Sequence, residues 1–152
     1  MNRWEKEKLI HQEWISEKVN QETVDFAKEF GTYLAKSDIV KQVDKQGKHY
    51  DATVGEALTT TQLRRFFGEV KRQQTIGYKE SSFVMLSPKL AYAVGRAKKD
   101  KKKDVQYFKI EDLFTVLDDA IKKVGNSDDR QKAFRNFISI FEAIVAYHKA
   151  AE

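Results

Sequence analysis

Through 134–145 recur Phe134, Phe137, Ile138, Phe141, Ile144 and Val145. Steps of three and four put all of them on one stripe of an α-helix and would scatter them over both faces of a strand. The same spacing returns at Ile110, Leu113, Phe114, Leu117 and Ile121, at Leu63, Phe66, Phe67 and Val70, and at Ala27, Phe30 and Leu34. One Pro and seven Gly in 152 residues are too few turn formers for an all-β chain. The pattern predicts an all-α fold. One domain over residues 1–152 is expected, a compact bundle of about five helices whose short connections favour antiparallel neighbours.

Residues 1–20 leave two possibilities open, an extra N-terminal helix or a mobile arm. Trp4, Ile10, Trp14, Ile15 and Val19 stand in an otherwise charged stretch. Two indoles there are expected to dock on the chain's own core or on a partner. The first long helix is expected over 24–46, with a kink or fresh start at Ser37 and Asp38, both good N-caps. Residues 46–57 read as a loop that holds His49 and Tyr50. A short helical turn is expected over 82–86. The helix over 109–124 should end at Gly125 as its C′ residue. Ser127 and Asp129 then supply the cap and acid for the last helix, which runs to about Lys149.

The basic residues that draw attention lie in 58–96. Thr59 and Gln62 have the spacing of a capping box, which gives the first N–H groups of a helix their partners. On that helix Leu63, Phe66, Phe67 and Val70 cover an arc of roughly 100°. Arg64, Arg65, Lys71 and Arg72 occupy a neighbouring sector roughly 120° wide. Gly68 sits within the basic sector, where a missing side chain would let another backbone come close. Pro88 suits a helix N1 position with Ser87 as its cap. On the following helix Lys89, Ala93 and Arg96 share a face, which Asp100 would extend. Leu90, Val94 and Ala97 share another, and Ala91 and Gly95 form a small pair. Each cation alone is an ordinary solvated residue. Two successive helices with cations around a small residue form a footprint for a polyanion backbone. Arg130 and Arg135 are second candidates. The run KKDKKK at 98–103 reads as a charged connection.

The net charge of +5 and the pI near 9.2 favour an anionic partner modestly. No Cys is present, which removes disulfides, thiolate zinc sites and Cys nucleophiles. His11, His49 and His148 are far apart in sequence, and no H-E-x-x-H, G-x-S-x-G or phosphate-binding loop occurs. The acid pairs Asp118 with Asp119 and Asp128 with Asp129 diverge by about 100° on a helix and do not converge on a metal. No enzyme, metal or cofactor is expected. The charged N-terminus has no signal-like apolar region, and no apolar run reaches the roughly 20 residues of a membrane span. A cytoplasmic location and no membrane partner follow as expectations.

The pieces TTTQLRRFFGEVKR and PKLAYAVGRA, and the closing FRNFISIFEAIVAYHK, resemble the small subunit of type III-A CRISPR effector complexes, the Csm-type ribonucleoproteins. The resemblance spans 58–149 and implies a helical bundle. It implies a non-catalytic, RNA-binding subunit of an antiviral complex, stacked in copies along its belly. There it would line the groove that holds guide RNA paired with target RNA. The implied partners are those two RNAs, the repeated backbone subunit, the large subunit and further copies of the chain itself. Target cleavage would belong to the backbone subunit, DNA cleavage and cyclic oligoadenylate synthesis to the large one. Contacts to phosphates and sugars would be independent of sequence. The matching motifs carry Arg64, Arg65, Lys71, Arg72, Lys89 and Arg96 as RNA-binding candidates, with Arg130 and Arg135 behind them. The alternative is a helical protein-interaction adaptor whose charges only solvate it and whose Trp pair is the anchor.

Overall fold

Five long helices form, four along their expected stretches and α2 over only the first part of 24–46: α2 (Gln21–Ala35), α3 (Thr60–Ile76), α5 (Leu86–Lys99), α6 (Phe108–Gly125) and α7 (Arg130–Ala151). Two short ones, α1 (Gln12–Ser16) and α4 (Glu80–Val84), complete the helical set of this computed structural model, which describes residues 3–99 and 105–152. Asp100, Lys101, Lys102 and Lys103 of the basic run therefore lie outside the described residues. The capping box forms as the spacing predicts: the Thr59 side chain accepts from the Gln62 N–H, and the Gln62 side chain accepts from the Thr59 N–H. Asp129 caps α7 by accepting from the Lys132 N–H at 3.1 Å. Helix α5 starts at Leu86, so Ser87 is not its cap. Pro88 instead falls in the first turn, where an N–H has no intrahelical partner to lose. Gly125 is the last residue of α6 rather than the C′ residue beyond it, and Asn126 takes the C-cap.

The all-α expectation needs one correction. Helix α2 stops at Ala35, and residues 38–55 form an antiparallel hairpin of β1 (Asp38–Val43) and β2 (His49–Gly55). Lys41 pairs with Asp51 and Gln42 with Tyr50 across the ladder. Ile39, Val40 and Val43 belong to this strand and not to a drifting helix face, as β-branched residues favour. Asp44 closes the turn: its carboxylate accepts from the N–H groups of Gln46 and Lys48, at 2.9 and 2.8 Å. Gly47 takes the left-handed position there, with φ 83°. The end of α2 is held from outside. The buried Lys109 amine of α6 donates to the carbonyls of Tyr33 and Lys36, and the Leu58 N–H to that of Leu34. These bonds supply partners for last-turn carbonyls that a helix cannot satisfy itself.

Helix α7 lies at the centre, against α2, α1, α3 and α6. Its stripe is core as expected, with Phe134, Phe137, Ile138, Phe141 and Ile144 all buried. Gly31 of α2 faces α7 so closely that an added Cβ would stand 2.7 Å from the Ile144 carbonyl oxygen. His148 is buried, with Nε2 2.8 Å from the Leu58 carbonyl. The N-terminal segment resolves in favour of the chain's own core. Ile10, Trp14 and Ile15 are buried, and the Trp4 ring packs on Phe26, Phe30 and Tyr33 at 4.7–5.8 Å between centroids. Arg3 adds an ion pair to Asp112 at 2.7 Å, and the Tyr33 hydroxyl donates to the same carboxylate. Desolvation, then that carboxylate, pushes the Tyr33 hydroxyl pKa up.

Candidate nucleic-acid interface

All eight candidate cations are exposed, and they fall into three groups. Arg64 and Lys71 share the outer ridge of α3, seven residues and two turns apart. Arg65 and Arg72 lie on the adjoining face, turned towards α5. The sector read as one from the sequence is thus divided, because α5 stands beside only half of it. Lys89 and Arg96 face back from α5, as their shared helix face predicts. Arg130 and Arg135 lie elsewhere, near the start of α7. Arg130 reaches Glu80 of α4 at 3.3 Å, and Arg135 lines a small hollow with Gln74 and Tyr78.

Between α3 and α5 the chain holds a cleft of about 540 Å³. Its apolar lining is built from Leu58, Phe66, Leu90, Ala97, Ile110 and Leu113. Arg65, Lys89, Ala93, Arg96 and Tyr92 line it as well, and Tyr92 is 72% exposed. The two helices share no continuous apolar face across it. Glu69 bridges them instead. Its carboxylate takes Arg72 at 2.6 Å and Lys89 at 2.7 Å. These two cations, Arg72 first, hold the Glu69 carboxyl down at about 2. Arg72 and Lys89 are therefore partly neutralised, whereas Arg64, Arg65, Arg96 and Arg135 make no ion pair with any described residue. Lys71 only stands over the Phe67 ring at 5.9 Å.

Sequence reasoning missed Glu69 and Tyr92. A signal for Glu69 existed: an acid three residues before Arg72 on a basic helix can pair with it. The bridge to Lys89 had none, since it depends on how α5 is placed. At Gly68, as the missing side chain allows, the gap is open: among the described residues no atom outside its own helix lies within 4 Å of where its Cβ would be. The same holds for Gly95. Among the described residues, no group of three or more His, Cys, Asp or Glu is placed to hold a metal ion, and no helix is long and apolar enough to cross a membrane.

A family model described as Csm2 Type III-A matches residues 34–152. This chain belongs to that family. It is a type III-A CRISPR effector small subunit, as the motifs of α3 and α5 indicated, and such a subunit assembles with others in a Csm complex. The matched span opens at Leu34, the last core residue of α2, and takes in the hairpin, both basic helices and α7. Helix α1 and most of α2 precede it, although they supply much of the core. No curated protein and no solved structure gave a match.

Proposed function

We propose that this Csm2-family chain is a non-catalytic RNA-binding subunit, lining the groove that holds guide and target RNA through contacts to the sugar–phosphate backbone. One observation carries the reading: on two neighbouring helices, Arg64, Arg65 and Arg96 are exposed and engage no described carboxylate. Free cations at helix surfaces neutralise phosphates without reading bases, which suits a subunit that must serve any guide. Lys71 extends the ridge. Lys89 and Arg72 contribute less, since Glu69 already holds them. Arg130 and Arg135 form a secondary patch, weakened by the Glu80 pair. Its protein partners are the repeated backbone subunit, the large subunit and further copies of the chain, in the cytoplasm. The adaptor alternative loses its anchor, because Trp14 is buried and Trp4 packs edge-on and tilted against aromatic residues of α2.

The test is the salt dependence of RNA affinity. Each phosphate contact to a single strand contributes about 0.7 to the slope of log K against log salt. Arg64→Ala with Arg96→Ala should lower affinity and reduce that slope by about 1.4, two contacts' worth. Exposed substitutions of this kind change stability by no more than about 0.5 kcal/mol, so circular dichroism should be unchanged. Replacement of Lys101, Lys102 and Lys103 by Ala is the charge control. An affinity flat in salt, or a triple variant that loses as much as the helix-face pair, would overturn the reading.

A further inference from the structure

The cleft between α3 and α5 has a feature that backbone contacts leave unused. Phosphates need only its cations, yet the half-buried Phe66, Ala93 and Ala97 line it with apolar surface, above the buried Leu58, Leu90 and Leu113. Tyr92 stands at its side with nearly three-quarters of its surface in water. A large aromatic left that open on a helix face is a ready stacking platform. Arg65 contributes from α3 and Arg96 from α5, so cations flank the apolar surface on both walls. The carboxylate present, Glu69, is already saturated by Arg72 and Lys89. With three lining cations, Arg65, Lys89 and Arg96, and one carboxylate, the cleft carries a net charge of about +2 by simple count. Its volume falls within the range of small-ligand sites, about 300–1,000 Å³.

We infer that this cleft receives one unstacked nucleotide of an RNA strand, its base against Tyr92 and the apolar lining and its flanking phosphates on Arg65 and Arg96. The inference rests on the RNA-binding reading and adds a base contact to it. Every base has a π-face, so such a contact tolerates any sequence. An acidic amphipathic peptide would also find cations and apolar surface here. The nucleotide is the better fit because the exposed aromatic is flat and the cations flank it on two sides.

Equilibrium binding by the full chain of three probes at one low salt concentration tests this: a short single-stranded oligoadenylate, the same ribose–phosphate strand made abasic, and a fully paired RNA duplex. The single strand should bind at least about fivefold tighter than the abasic strand, as base–aromatic stacking provides. The duplex should gain no such advantage per charge. Tyr92→Ala, at an exposed position that leaves the fold intact, should bring the single strand down to the abasic level and leave abasic binding unchanged. Ala93→Phe, which fills the cleft, should do the same, with circular dichroism as the fold check. Equal binding of single and abasic strands by the natural chain overturns the base contact while the backbone reading stands. Binding of no probe, or binding indifferent to salt, overturns both. Variants that keep every RNA affinity but lose association with other subunits assign the cleft to a protein and overturn the inference. Adenosine monophosphate separates the two nucleotide sources. Competition only at concentrations about a hundredfold above the strand's supports the strand, since linkage to neighbouring contacts adds that much. Competition at equal concentration points to a free nucleotide and overturns it.

Discussion

The α2–α7 pair and the α3–α5 pair each contain a glycine in mid-helix, and they use it in opposite ways. Gly31 lies under α7, and a Cβ there would stand 2.7 Å from the Ile144 oxygen and 2.9 Å from the His148 nitrogen. Gly68 opens on empty space. On the first side Phe26, Ala27, Phe30 and Leu34 make a continuous apolar face that draws the helices together until backbone meets backbone. On the second, α3 spends its apolar arc on α7, through Phe66 and Phe67 against Phe141. What remains towards α5 is mostly polar, Gln62, Arg65 and Glu69 beside Phe66, so a carboxylate bridge spans the gap and a cleft stays open. A small residue permits close approach; the apolar face beside it decides whether approach happens.

The largest effect should come from the closed side. Deletion of residues 1–20 removes Ile10, Trp14 and Ile15, all buried. Loss of one such side chain to Ala costs about 2–5 kcal/mol, against a total stability of about 5–15 kcal/mol. The truncated chain should lose its cooperative thermal transition. A sharp transition near the full-length midpoint would show that α2, α6 and α7 close without the segment.

Next comes a contrast between the two glycines. Gly31→Ala should destabilise by about 2 kcal/mol, because overpacking against backbone outweighs the gain in helix propensity. Gly68→Ala should stabilise by up to about 1 kcal/mol, since only the propensity gain applies. Urea denaturation of both variants reads the two signs. If both shift the same way, the difference between the pairs is not one of packing.

The smallest effect concerns the bridge. The Glu69 carboxyl stands at about 2 in the folded chain, below its ordinary 4.5. The stability it adds is complete above that ordinary value and is lost as pH falls towards 2. Solvent at the cleft limits it to about 1 kcal/mol or less. Glu69→Gln should lower stability at neutral pH by up to about 1 kcal/mol, leave it unchanged near pH 2, and so flatten the loss between the two. Identical acid slopes in the two proteins would show that the bridge contributes nothing to holding α3 by α5.

Much of this arrangement was legible in the chain. The stripes of α6 and α7 are repeated over enough turns that only one secondary structure buries them. The Thr59 and Gln62 cap depends on residues three apart and forms locally. The shared face of Lys89 and Arg96 is a matter of helix pitch alone. The hairpin was not legible, although Ile39, Val40, Val43 and the Asp44-to-Gly47 turn carried its chemistry. The sequence leading into it continues a good helix, and helix and strand compete there on nearly equal local terms. What breaks the tie comes from far along the chain: Lys109 and Leu58 take the last carbonyls of α2, so that the helix ends at Ala35.

By itself, then, the sequence determined where the long helices lie, except for the end of α2, which faces are apolar, and which two helices carry the candidate cations, because each of these follows from spacings of three or four. It also determined the family, through motifs that lie within α3, α5 and α7. Only the tertiary structure decided that the indoles turn inward, that the basic sector of α3 divides into a ridge and a cleft wall, and that Glu69 joins Arg72 to Lys89. Those outcomes depend on where one helix stands against another. Periodicity names the face that must be buried, but the partner that buries it is chosen by packing the whole chain at once.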